Sequence, residues 1–77
     1  MLKKKEKPYK YIKIVQGMGD NYKIWNTIYK EYVGEIRKER FGKFMHWQLF
    51  QYPGYGFTNG CLKYISKFIT SLYRERL

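Results

Sequence analysis

The sequence predicts an α+β domain: a small antiparallel sheet of three to four strands with one C-terminal amphipathic helix packed on one face. Three observations predict it. Short runs of β-branched and aromatic residues alternate with clusters of Gly, Asn and Pro, as strands and their turns do. A wide helical stripe of apolar residues runs close to the C-terminus. The chain has 77 residues, the length of one domain.

Residues 1–8 read as a flexible basic tail that ends at Pro8, and residues 9–77 as the single domain. Tyr9 to Gln16 (Tyr-Lys-Tyr-Ile-Lys-Ile-Val-Gln) suits a pleated, half-buried surface and is the first strand. Gly17 to Asn21 turns, because Gly and Asn tolerate positive φ. Tyr22 to Trp25 resumes the strand pattern, and Asn26-Thr27 is a weaker turn. Tyr32 to Lys38 is the next strand, and Glu39 to Lys43, with Gly42, turns again. Phe44 to Gln51 alternates cleanly, and Tyr52 to Phe57 is a loop punctuated by Pro53, Gly54 and Gly56.

The helix follows. Thr58 can cap it with its hydroxyl. Apolar residues then fall at 61, 62, 65, 68, 69 and 72 on one stripe, while Arg74 and Arg76 sit where the helix dipole favours cations. Gly60 costs up to about 1 kcal/mol against Ala in a helix, which favours a start after it. One segment reads two ways. Trp25, Ile28, Tyr29, Tyr32, Val33 and Ile36 also make a helical stripe that Gly34 could end. The residues there lose χ1 freedom in a helix, which favours strand, but a β-α-β-β-α order stays open.

Period-two alternation divides the strands between two faces. One face takes Ile12, Ile14, Tyr22, Ile24, Tyr32, Gly34, Ile36, Met45, Trp47 and Leu49, and meets Leu62, Ile65, Phe68, Ile69 and Leu72 of the helix. Gly34 there either lets the helix approach closely or permits a bulge. The opposite face takes Tyr11, Lys13, Lys23, Trp25, Arg37, Phe44, His46, Gln48 and Phe50, so cations, rings and amides interleave.

The charge is strongly positive: 16 Lys and Arg against 6 Asp and Glu give a net +10, which attracts polyanions. It comes in three clusters. Residues 1–13 carry +5, with Lys3, Lys4, Lys5, Lys7 and Lys13 among them. Residues 37–43 carry +3 and residues 63–77 carry +3. Lysines and arginines neutralise phosphates, and exposed rings stack on bases. A small, basic, non-enzymatic nucleic-acid-binding protein, of DNA or RNA, is therefore the leading expectation. Neutralising about six phosphates gives a slope of log K against log[salt] near −5. The expected contacts are Lys3, Lys4, Lys5, Lys7, Lys13, Lys23, Trp25, Arg37, Lys38, Arg40, Lys43, Phe44, His46 and Phe50.

The run Tyr32-Val33-Gly34-Glu35-Ile36-Arg37-Lys38-Glu39-Arg40-Phe41-Gly42-Lys43-Phe44, with Gly54, Phe57 and Thr58 leading into the helix, resembles the three-stranded-sheet-plus-helix DNA-binding domains. These are the plant ethylene-response-factor domains and the amino-terminal domains of tyrosine integrases. The resemblance implies a sheet that enters the major groove. It also implies Arg37, Lys38, Arg40, Lys43 and Phe44 as the residues that touch phosphates and bases.

Other chemistries find less support. His46 and Cys61 are the sole residues of their types, too few for a four-ligand zinc site, and Cys61 lies on the expected buried face of the helix where a thiol is inert. No catalytic, cofactor or metal role is expected. Glu31 and Glu35, at i and i+4, read as solvated carboxylates, and Gly17-Met18-Gly19 lacks the rest of a dinucleotide or phosphate-loop fingerprint. One cysteine, no apolar leader and no spanning run point to the cytoplasm and away from membranes. The alternative is a small accessory or inhibitor protein that binds an acidic host protein, with a viral or mobile-element origin suggested by the absence of Ala and the abundance of residue types whose codons are AT-rich. Self-assembly into a homo-oligomer through the aromatic face is the remaining expectation.

Overall fold

A computed structural model describes residues 9–75. Strands β1 (Ile12–Gln16), β2 (Tyr22–Asn26), β3 (Glu31–Phe41) and β4 (Phe44–Gln51) precede helix α1 (Asn59–Glu75). Each strand pairs antiparallel with its neighbour in the chain, so the sheet is a four-stranded meander in the order β1-β2-β3-β4. The architecture is α+β, with one helix after the sheet. The basic tail expected over residues 1–8 lies outside the described residues.

The turns decide the ambiguous segment. Asn26 Oδ1 accepts the backbone N–H groups of Ile28 and Tyr29, at 2.8 and 2.7 Å, and Lys30 takes a φ of 57° to close the loop. Trp25 and Tyr32 then face each other across β2 and β3. The helical reading of residues 25–36 is overturned, because pairing to flanking strands outweighs a local stripe. The turn expected over 39–43 shrinks to two residues. Phe41 pairs with Phe44, and Gly42 takes the positive φ of 65° at the first central position of the hairpin turn.

The core is a layer between one sheet face and the helix. Ile12, Ile24, Val33, Ile36 and Trp47 meet Cys61, Ile65 and Leu72. Half-buried Ile14, Tyr22, Leu49, Phe68 and Ile69 pack round them, with the Tyr22 ring edge-on to Phe68 at 5.0 Å. Each buried aliphatic contributes roughly 1.5–3 kcal/mol.

A bulge redistributes β3. Ile24 stands opposite Gly34 and Trp25 opposite Tyr32, so Val33 is the extra residue. Val33 is consequently buried, 2% exposed, and Tyr32, expected in the core, lies on the other face at 41%. Gly34 lies beside the bulge, and the close approach there comes from β4 and from Phe57 ahead of the helix, not from the helix itself. A Cβ there would sit 2.7 Å from the Phe50 carbonyl oxygen and 3.2 Å from the Phe57 ring.

Two further core expectations are corrected. Leu62 is exposed, since it lies about 100° round the helix from Cys61, at the margin of the stripe. Met45 is exposed because β2 pairs with β3 only as far as Ile36, and the rest of the β3–β4 hairpin projects past it. The helix begins at Asn59, before Gly60, with Thr58 Oγ1 accepting the Cys61 N–H at 3.2 Å. Gly60 is tolerated because the Tyr9 hydroxyl would lie 2.5 Å from any Cβ at that site. The Tyr9 ring in turn stacks on Tyr64 of the helix at 5.4 Å.

Candidate functional site

The helix covers one face of the sheet, and among the described residues no helix or strand covers the other. Register fixes what that outer face presents. One row across the strands is Lys13, Trp25 and Tyr32. The next is Val15, Lys23, Glu35 and Phe50. Arg37 then stands opposite Gln48, Glu39 opposite His46, and Phe41 opposite Phe44 at the hairpin tip. Of the residues expected from sequence, Lys13, Lys23, Trp25, Arg37, Phe44, His46 and Phe50 share this face. None of its rings belongs to the core between sheet and helix.

The remaining expected contacts fall elsewhere. Lys38 and Arg40 alternate with Arg37 along β3, so their side chains lie on the helix side, level with Trp47 and Met45. Lys38 is engaged there: its Nζ is 3.5 Å from Asp20 and 5.7 Å from the centre of the Trp47 ring. Lys43 occupies the hairpin turn. Lys3, Lys4, Lys5 and Lys7 lie outside the described residues. Tyr11, expected on the outer face, precedes β1 and escapes its pleat, and its ring packs edge-on against Tyr9 at 5.4 Å.

Aromatic and cationic groups on the outer face are coupled. The Trp25 and Tyr32 rings meet edge to face at 4.9 Å, and Lys23 Nζ lies 5.2 Å over Tyr32. The Arg37 guanidinium lies over Phe50, 4.4 Å from the ring centre. It also donates from Nε to Glu35 Oε1 at 2.8 Å. The second oxygen of Glu35 accepts the Tyr52 hydroxyl. Those two hydrogen bonds, Tyr52 before Arg37, hold the Glu35 carboxyl below its ordinary value. The same bond to Glu35, helped by burial, pushes Tyr52 up to about 12. Glu35 is therefore no free solvated carboxylate, as its spacing from Glu31 suggested, but the hub of a network.

Sequence reasoning missed Tyr32, Glu35, Phe41 and Tyr52. Tyr32 was misplaced by the bulge. Glu35 and Arg37 share a strand face at i and i+2, a signal that was present in the sequence. Tyr52 lies beyond the end of β4, where strand alternation gives no guidance.

The groups weighed for catalysis do not converge. His46 stands on the outer face, its ring edge-on to Phe41 at 5.2 Å, whereas Cys61 is buried in the core on the other side of the sheet. Among the described residues no three His, Cys, Asp or Glu side chains cluster as metal ligands, and no helix is long and apolar enough to cross a membrane. No family model, curated protein or solved structure matches the chain.

Proposed function

We propose that the protein binds nucleic acid without catalysis, through the outer face of its sheet. The observation that carries this reading is the interleaving of Lys13, Lys23 and Arg37 with Trp25, Tyr32 and Phe50 on a face that the helix leaves bare. Cations at that spacing meet a phosphate backbone, while rings among them take unstacked bases at about 1–3 kcal/mol each. Lys43 in the hairpin turn adds a phosphate contact at the edge of this footprint, and Lys3, Lys4, Lys5 and Lys7, which lie outside the described residues, add phosphate contacts of their own. Of the contacts implied by the resemblance to sheet-plus-helix DNA-binding domains, Arg37 and Phe44 belong to this surface, whereas Lys38 and Arg40 lie on the helix side.

Binding of a random-sequence single-stranded oligonucleotide, followed by fluorescence anisotropy over a range of salt, tests it. Each neutralised phosphate on a single strand contributes about −0.7 to the slope of log K against log[salt]. Replacing Lys13, Lys23 and Arg37 together by Ala therefore makes the slope shallower by about 2. A salt-independent response, or a slope that the triple substitution leaves unchanged, contradicts the reading.

One observation favours a second reading, docking on an acidic protein. Phe41 and Phe44 are each 73% exposed at the hairpin tip, flanked by Arg40 and Lys43. On that reading Phe41→Ser with Phe44→Ser abolishes capture of the partner, and oligonucleotides do not compete.

A further inference from the structure

Glu35 is out of place on a surface that recruits polyanions. By charge alone its carboxylate repels a phosphate, and its neighbours Lys23 and Arg37 are drawn partly to it. Its geometry gives another role. Glu35 is fixed from behind by the Tyr52 hydroxyl on one oxygen and holds Arg37 Nε at 2.8 Å with the other. The Phe50 ring lies against the guanidinium at 4.4 Å. Arg37 is thus held at its Nε and across one face of its plane by residues of β3, β4 and the segment after β4. The bond to Glu35 uses Nε, so the two terminal amino groups are not committed to it, and the side chain keeps 41% exposure.

A guanidinium matches two oxygens of one phosphate with a pair of parallel N–H donors. A surface arginine ordinarily loses rotamer freedom when it forms that pair, and fixing it beforehand removes much of the loss. From this we infer that Arg37 is a preset bidentate fork for a phosphodiester, that Glu35 and Tyr52 are its positioning residues, and that Phe50 is the platform under the guanidinium rather than a ring for a base. The inference rests on the reading of the outer face as a nucleic-acid surface. It changes that reading in one respect: base stacking falls first to Trp25, because Arg37 lies over Phe50 and Lys23 over Tyr32.

The inference makes a prediction opposite in sign to simple electrostatics. Glu35→Gln raises the net charge by one, yet loosens the fork. Binding of a single-stranded oligonucleotide is measured at one fixed salt concentration, and the salt slope is taken for each variant. The expected results are that Glu35→Gln weakens binding several-fold and that Tyr52→Phe, neutral in charge, also weakens it. Arg37→Lys is expected to weaken binding about tenfold while leaving the salt slope unchanged, since the charge stays and the paired donors go. In the intact protein, the Arg37 Nε–H resonance shifts on addition of the oligonucleotide, a readout independent of any variant's folding.

Glu35→Gln binding as tightly as the wild type or more tightly, or Arg37→Lys indistinguishable from wild type, overturns the fork and leaves the face reading standing. Wild-type protein that does not bind the oligonucleotide at low salt overturns both. Arg37-dependent binding of poly-glutamate in place of the oligonucleotide assigns the fork to carboxylates and overturns the phosphodiester.

Discussion

Gly34 shows how one residue sets the geometry of both faces. The space a Cβ needs is taken by the Phe50 carbonyl oxygen, a backbone atom that cannot swing aside, and by the Phe57 ring. Gly34→Ala is expected to cost roughly 1–3 kcal/mol, the range for overpacking a filled site, read as a lower urea midpoint. The Tyr52–Glu35–Arg37 network contributes a pH dependence whose sign follows from its shifts. Glu35 lies below its ordinary value, so its contribution is present above the usual carboxylate range and is lost as pH falls through the lowered value. Tyr52 lies at about 12 against 10.0, so its contribution is present below pH 10 and is lost as pH rises toward 12. The melting-temperature advantage of the wild type over Tyr52→Phe should be largest near neutrality and shrink at both extremes. A pH-independent difference contradicts the network. Gly34 stood out in the sequence as a glycine inside a strand. The role of Glu35 did not, since it depends on Tyr52, 17 residues away.

Among the elements, the helix was the most legible, because its 3.6-residue period needs no partner to be seen. Its margin was less so: Leu62 and Ile69 flank the same stripe, and only the sheet's position decides that Leu62 is exposed and Ile69 half-buried. Strand alternation likewise placed Lys13, Lys23 and Arg37 correctly, and failed at Tyr32, where the extra residue of the bulge inverts the parity. A bulge is a property of two paired strands: Gly34 marks its neighbourhood in the sequence, but only the pairing shows that Val33 is the extra residue. The helix also reaches the edge of the sheet at one point. Strand β4 is an edge strand, and its Trp47 N–H donates to the Tyr73 hydroxyl of α1 at 2.9 Å. Tyr73→Phe leaves that donor without its partner, a cost of about 1 kcal/mol. It also exposes a β-pairing site. Chemical denaturation should show the loss, and light scattering should show association rising with concentration. Unchanged stability would mean that the hydroxyl bond to the Trp47 N–H adds nothing to the fold.

At the scale of the whole molecule, one amphipathic sheet divides the work. The aliphatic face and the helix form the core, and the cationic and aromatic residues lie on the opposite face. The sequence revealed this division because pleated strands sort residues by parity, but it blurred the basic cluster at 37–43. Charge that is contiguous along the chain is split by the pleat, with Arg37 on the outer face and Lys38 and Arg40 on the helix side. The splitting removes Lys38 and Arg40 from the outer face, whose strands carry three cations among the described residues, Lys13, Lys23 and Arg37. The most direct test is to record amide and side-chain chemical shifts of the 15N-labelled protein while titrating a single-stranded oligonucleotide. Perturbations confined to Lys13, Lys23, Trp25, Tyr32, Arg37 and their neighbours on the bare face are the predicted result. Perturbations centred on α1, or none at all at concentrations where shifts of a binding protein saturate, contradict it.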